Sequence, residues 1–216
     1  MTRRSFQRLS EDARRNDLLE ATLAVIADCG INAASARRIA ERAGVSAGLI
    51  RHYFASKEEM LHAAYAHLIG QLISTAAEQA DLGGTDADAR LAGFVEANLS
   101  APNLSDFKLS LWATFIGMIR SDAAYAAIHR DGYREFLEML QVMIAPVRVA
   151  HDLPATPTDC RRLAIALNGL IDGLWLEGSL EHGLYDPREL AAIGLRAAED
   201  ILRLPEETLL RHRAGQ

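Results

Sequence analysis

Several residue types are scarce in this chain, and each shortage excludes something. Of 216 residues only two are cysteine, Cys29 and Cys160. Two thiols that far apart build neither a disulfide framework nor a cysteine metal centre, and they fit a reducing compartment. The turn-formers are few, with 15 glycines and six prolines, which argues against an architecture of many short strands. Aromatic residues supply 6% of the chain and only two of them are tryptophan. No uninterrupted apolar run approaches the roughly 18–20 residues that a membrane span requires. Met1-Thr2-Arg3-Arg4 leads into polar sequence rather than the apolar stretch of a secretory signal. The expectation is a cytoplasmic protein without a membrane partner.

Alanine is what the chain has most of, 37 residues or 17%. It is the strongest helix former, and apolar residues recur with a helical period along most of the sequence. Half of the residues are hydrophobic and 24% charged, which excludes a disordered chain and allows a sizeable core. The spacing predicts an all-α fold of about nine helices. They fall over 11–29, 36–43, 47–54, 57–80, 87–100, 105–120, 122–150, 158–181 and 187–204. Ser10, Ser35, Ser46 and Ser56 are the expected N-caps, and Gly30 and Gly44 the expected stops. Pro146 should kink or end its helix near Ile144.

The net charge of −6 speaks against a nucleic-acid partner until it is divided. Residues 1–57 carry ten basic and six acidic side chains, a surplus of +4, whereas the remaining 159 carry −10. A basic head on an acidic body is the pattern of a small nucleic-acid-binding module joined to a larger domain. A solvated surface would give the same count, so charge alone does not choose.

Spacing within the head does. Ala36–Ala43 and Ala47–Phe54 are two short helical stretches separated by Gly44, Val45 and Ser46. Gly44 suits a left-handed turn, and Ile39, Ala40 and Ile50 suit a tight inner face. Two helices this short cannot bury themselves, so 11–29 must supply a third wall. The second helix leads with Ser46, Ala47 and Gly48, small enough for close approach to a major-groove floor. Arg51, His52 and Tyr53 follow one turn later, with Lys57 at the next helix start, all suited to phosphates. The competing reading is a plain helical hairpin with a glycine turn.

Ile39-Ala40-Glu41-Arg42-Ala43-Gly44-Val45-Ser46, Ile50-Arg51-His52-Tyr53-Phe54 and Lys57-Glu58-Glu59-Met60-Leu61 closely resemble the N-terminal domain of TetR-type repressors. The resemblance implies a homodimeric, ligand-responsive transcriptional regulator that binds double-stranded operator DNA. Its DNA-binding domain would be 1–57, and 58–216 would bind ligand and dimerise. Carried over by position, Ser35, Arg37, Ser46, Ala47, Gly48, Arg51, His52, Tyr53 and Lys57 fall where such proteins contact DNA. Leu170-Ile171-Asp172-Gly173-Leu174-Trp175-Leu176-Glu177-Gly178 and Trp112-Ala113-Thr114-Phe115 resemble the BetI-like, choline-sensing subgroup. Choline-type members tend to carry a tryptophan where this chain has Ile116.

Trp112, Phe115, Tyr125 and Trp175 are candidates for a cation-binding effector site, with Asp172 or Glu177 as counter-charge. The same rings would serve equally as ordinary core. For dimerisation, Leu163, Leu167, Leu170 and Leu174 recur at helical spacing, as do Leu190, Gly194, Ala197 and Ile201. Two such helices per subunit would make a four-helix interface, or both seams would face the subunit's own core. His129, His151 and His182 show no metal-ligand spacing and read as surface residues, so neither metal nor cofactor is expected. An all-α enzyme or carrier would need a catalytic cluster that the sequence does not offer, and would leave the helix-turn-helix unexplained.

Overall fold

A computed structural model describes residues 11–179, 186 and 189–213. Among these, the chain forms nine α-helices and no strand. They are α1 (Glu11–Cys29), α2 (Ala36–Ala43), α3 (Ala47–Tyr53), α4 (Lys57–Asp81), α5 (Ala87–Asn98), α6 (Asp106–Ile116), α7 (Ala123–Ala150), α8 (Pro157–Ser179) and α9 (Leu190–Leu202). Short 3-10 turns occupy Ile31–Ala33 and Leu210–His212. The all-α expectation holds. Ser10 and His182, named in the sequence reading, lie outside the described residues. No described helix is long and apolar enough to cross a membrane.

The chain packs as two compact units. The first takes residues up to Leu68 together with Ser110–Ile128, the second Ile69–Leu109 and the residues from His129 onward.

In the first unit α1 supplies the wall that the two short helices need. Its Leu18, Leu19, Leu23 and Ile26 are at most 2% exposed, and Ile39, Ala40, Ile50 and Phe54 are buried with them. At roughly 1.5–3 kcal/mol for each fully buried large aliphatic side chain, this stripe outweighs what α2 or α3 could bury alone. Hydrogen bonds at the ends fix where each helix stops. Ser35 Oγ accepts from the Arg38 N–H at 3.4 Å, and Ser46 Oγ from the Leu49 N–H at 3.3 Å. Gly44 adopts φ 67°, ψ 33°, and lets its own N–H and that of Val45 reach the carbonyls of Glu41 and Ala40. Ser56 Oγ caps α4 by accepting from the Glu59 N–H at 3.0 Å, while the Glu59 carboxylate accepts from the Ala55 N–H at 2.7 Å.

In the second unit α5 is the most enclosed helix, with Leu91, Ala92, Phe94 and Val95 fully buried. Gly194 of α9 faces inward, and a Cβ there would collide with Leu99. α7 bears out the helix expected over 122–150: it runs through Pro146 to Ala150, so of the two effects expected of that proline the helix end near Ile144 does not occur. A proline removes one N–H, and here it stands in the final turns of a 28-residue helix. The following Arg148 anchors that end, donating to the carbonyls of Pro154 and Leu202 at 2.6 Å each. α6 stops at Ile116 rather than near 120, because the chain turns after it, with Met118 and Ser121 N–H groups bonding three residues back.

Candidate nucleic-acid interface and effector residues

The caps described above orient α3 so that its buried side is Ile50 and its opposite side is open. Ser35, Arg37, Ser46, Gly48, Arg51, His52 and Lys57 are all exposed, and Ala47 and Tyr53 are half-buried. Small side chains therefore lead the helix on its open side, with cationic and aromatic groups behind them. Several of the cations are steered by neighbours. Arg37 Nε donates to Glu41 at 3.0 Å, one turn along α2. Lys57 Nζ donates to the Asn32 carbonyl at 3.2 Å, tying the start of α4 to the 3-10 turn after α1. The His52 and Tyr53 rings meet edge to face at 5.3 Å.

Two groups escaped the sequence reading. Arg42 pairs with Asp28 at 2.7 Å and braces α2 against the end of α1. Arg38, exposed at the start of α2, is a further cation on the head, and the only sequence sign of it was its place beside Arg37.

The effector candidates divide between the units. In the first, Phe115 and Tyr125 lie in an aromatic cluster with Tyr65. Tyr65 stacks on Phe115 at 4.8 Å, and Tyr125 lies 5.7 Å from each ring. His62 meets Tyr125 at 4.5 Å and Asp122 at 3.0 Å. That imidazole contact, with the Ala124 N–H, holds the Asp122 carboxyl below its usual range. Burial pushes the Tyr65 and Tyr125 hydroxyls up to about 12. Trp112 is half-buried.

In the second unit Trp175 is 8% exposed, and its indole N–H donates to the Asn103 carbonyl at 3.0 Å. Glu177 is exposed. Asp172 is half-buried on α8, and its Oδ2 accepts from Tyr133 Oη at 3.1 Å and Asn168 Nδ2 at 3.0 Å. Burial raises its pKa against those two bonds. Tyr133 in turn packs on His129 at 4.2 Å, where burial lowers the imidazole pKa. His129 is thus half-buried rather than a surface residue, and so is His151, which meets Asp88 at 2.9 Å.

The dimer candidates also divide. Leu167, Leu190 and Gly194 are buried within the chain itself, whereas Leu163, Leu170, Leu174, Ala197 and Ile201 are half-buried. Ile165 and Leu176 of α8 and Ile193 of α9 are between 40% and 52% exposed, and on α8 the open side is turned away from the Leu163, Leu167, Leu170 and Leu174 seam. Gly169 and Gly173 lie exposed on that side of α8, with open space around a would-be Cβ.

A capped helix-turn-helix braced by a third helix, on an otherwise all-helical chain, defines a DNA-binding transcriptional regulator. Residues 18–64 match the family of bacterial regulatory proteins of tetR type, and residues 87–203 the C-terminal region of BetI-type transcriptional repressors. The chain belongs to the TetR family, in its BetI-type branch. It is 32% identical to the HTH-type transcriptional regulator BetI of Pectobacterium atrosepticum over 182 residues, 83% of this chain and 89% of the relative. A transcriptional regulator from Pseudomonas aeruginosa PAO1 shares its fold with a TM-score of 0.77 and 32% identity, covering 97% of this chain and 98% of its own. A regulator from Saccharomonospora viridis, solved in complex with choline, shares the fold alone at TM-score 0.71 and 20% identity, covering 89% and 97%. These relatives are transcriptional regulators, not enzymes, and regulators of this family bind operator DNA and typically dimerise.

The buried Asp172 makes a pH-dependent prediction. A carboxyl whose pKa is raised by folding holds its proton longer in the folded state than in the unfolded one. Its contribution to stability is therefore full below the unfolded value, near 4, and declines as pH rises through the folded value. Asp172→Asn keeps an acceptor for Tyr133 and Asn168 and removes the charge. Its melting temperature at pH 7.5 should exceed that of the parent by a few degrees, the shift that about 1 kcal/mol produces in a chain of this size. The gap should close towards pH 4, and a gap independent of pH in thermal melts would reject the assignment.

Proposed function

We propose that the protein is a cytoplasmic repressor that binds a pseudopalindromic operator as a homodimer and is released by a small-molecule effector. The observation that carries this is the open side of α3, where small Ser46, Ala47 and Gly48 precede exposed Arg51 and His52. On this reading residues 1–57 are the DNA-binding domain and 58–216 bind ligand and dimerise. Ser46, Ala47 and Gly48 approach base edges, and Ser35, Arg37, Arg51, His52, Tyr53 and Lys57 hold phosphates. Arg51 is the cleanest probe, since Lys57 also supports the Asn32 carbonyl.

The body's surplus of acid keeps it off DNA, so only the head contributes to the electrostatic part of binding. Two heads must meet successive major grooves, about 34 Å apart. An effector that favours a different head spacing by a few kcal/mol empties the operator.

Fluorescence anisotropy on DNA from beside the gene tests the head. Affinity should fall steeply between 50 and 200 mM salt, and Arg51→Ala should weaken all sequences and flatten the salt slope by about one unit. A parent protein that binds no such fragment at low salt would sink the repressor reading, and an unchanged slope would take Arg51 off the phosphate list.

The dimer is proposed to form through α8 and α9. The half-buried Leu163, Leu170, Leu174, Ala197 and Ile201 keep some surface of their own to bury against a partner, while Ile165, Gly169, Gly173 and Leu176 share the open side of α8 and Ile193 is exposed on α9. Glycines there let two α8 helices approach closely. Gly173→Arg places a charge on that face without touching the chain's own core, because no neighbour stands within 4 Å of its Cβ direction. The variant should sediment as a folded monomer and lose most operator affinity; a variant that stays dimeric would move the interface elsewhere.

Choline or a related quaternary ammonium is the effector that this branch suggests, with a structural neighbour solved in complex with choline. Asp172 is then the counter-charge, with Trp175 and Glu177 the further candidates on the second unit and Trp112, Phe115 and Tyr125 those on the first. Aromatic faces hold such cations by roughly 0.5–2 kcal/mol each. Choline titrated to millimolar levels should change the emission of Trp112 or Trp175 and release bound DNA. Silence in both signals rejects a quaternary ammonium and leaves the repressor reading intact.

A further inference from the structure

The second unit holds another concentration of titratable side chains, at the start of α5. Asp86 caps that helix, its Oδ1 accepting from the N–H groups of Asp88 and Ala89 at 3.0 and 3.1 Å. Asp88 is 7% exposed. Its Oδ2 meets His151 Nε2 at 2.9 Å and Arg211 Nη2 at 3.2 Å, while its Oδ1 is buried with no hydrogen-bond partner. His212 Nε2 lies 3.9 Å from Asp86 Oδ2. One ligating atom each from Asp86, Asp88 and His212 falls within 4.8 Å of the others.

We propose that Asp86, Asp88 and His212, with His151 beside Asp88, form a binding site for one divalent transition-metal ion of the zinc class.

Spacing, donor chemistry and an orphaned buried atom all bear on this. Two ligands held about 2.0–2.2 Å from one ion at the tetrahedral angle stand about 3.4 Å apart. The 3.9 Å between His212 and Asp86 is a small side-chain adjustment from that value. Two carboxylates and one imidazole form a mixed oxygen and nitrogen set, with His151 supporting Asp88, and this suits zinc and its neighbours rather than magnesium or calcium. The two carboxylates also balance the ion's charge.

His212 Nε2 accepts a hydrogen bond from Arg211 Nε at 3.1 Å, which assigns its proton to Nδ1, so its one Nε2 lone pair reaches an ion only once Arg211 turns away. A buried carboxylate oxygen without a donor is an unfavourable arrangement, and a cation is the partner it lacks. Arg211 now supplies a positive charge to Asp88, but its side chain is 59% exposed and free to swing into solvent when an ion takes its place.

The ligand atoms come from two separate segments, the start of α5 and the 3-10 turn Leu210–His212, with His151 after α7 supporting Asp88. A bound ion would therefore fasten the 3-10 turn Leu210–His212 to the start of α5. It shares no residue with those proposed for DNA or effector, so it can fail without disturbing that reading.

The test uses the full chain, free of affinity tags and stripped by chelator. Zinc is titrated in competition with a chromophoric chelator at pH 7.5. One ion per chain should bind at about micromolar strength or better, and zinc should raise the melting temperature. His212→Ala changes a partly exposed side chain near the chain end and should keep its circular dichroism. Its zinc affinity should fall at least about tenfold, as should that of His151→Ala, the range that losing a ligand or its support produces. The thermal shift should vanish with it. Millimolar magnesium should not compete. Absence of binding to the parent, undiminished affinity in His212→Ala, or equal competition by magnesium would each overturn the site.

Discussion

The head depends on a constraint of size. α2 and α3 have eight and seven residues, about two turns each, and neither can bury enough apolar surface to hold itself. What makes them rigid is α1, whose Leu18, Leu19, Leu23 and Ile26 close the inner face over Ile39, Ala40, Ile50 and Phe54. Because these residues are spent on that core, α3 has a single side left for a partner. The left-handed turn at Gly44 sets the angle at which that side is offered, and Ser46 fixes the first residue that reaches out. A helix of small leading residues is useful on DNA only if it arrives in register, and here register is inherited from the buried stripe.

Charge acts over a longer range and serves a different purpose. A surplus of +4 over residues 1–57 is too small to hold DNA by attraction alone, so phosphates must be met by placed cations. Intrahelical and cross-helix pairs do some of that placing: Glu41 holds Arg37, Asp28 holds Arg42 and the Asn32 carbonyl holds Lys57. Each of these pairs is exposed and contributes little stability. Their effect is to restrict where a long side chain points, which, on the proposed reading of Arg37 and Lys57 as phosphate contacts, would lower the entropy lost on binding.

Legibility in the sequence followed the range of the interactions. The caps at Ser35, Ser46 and Ser56 and the stop at Gly44 were readable because each rests on a hydrogen bond spanning three to five residues. The faces of α8 and α9 were not. Leucine and alanine are so dense there that spacings of three and four occur on more than one side, and only packing reveals that Leu167, Leu190 and Gly194 turn inward. Pro146 left two outcomes open, and the one that would have ended the helix is ruled out by a helix end beyond it that Arg148 anchors through hydrogen bonds to the carbonyls of Pro154 and Leu202. The Asp88 cluster lay furthest out of reach, because its partners stand 63 and 123 residues away in the chain.

Asp172 shows why the most informative body residue is also an unfavourable one. A carboxylate placed among α7 and α8 gives up hydration that two hydrogen bonds only partly replace, and its raised pKa records the deficit. Well-packed apolar residues at the same place would make a more stable protein. If the proposed cationic effector binds there, it would restore to the carboxylate what burial removed, and only in the state that brings Asp172 and its partners together. Part of the binding energy would then come from a cost already present in the unliganded fold. Stability lost at one buried acid is thereby available as preference between two states, the quantity an effector needs to move a regulator off DNA.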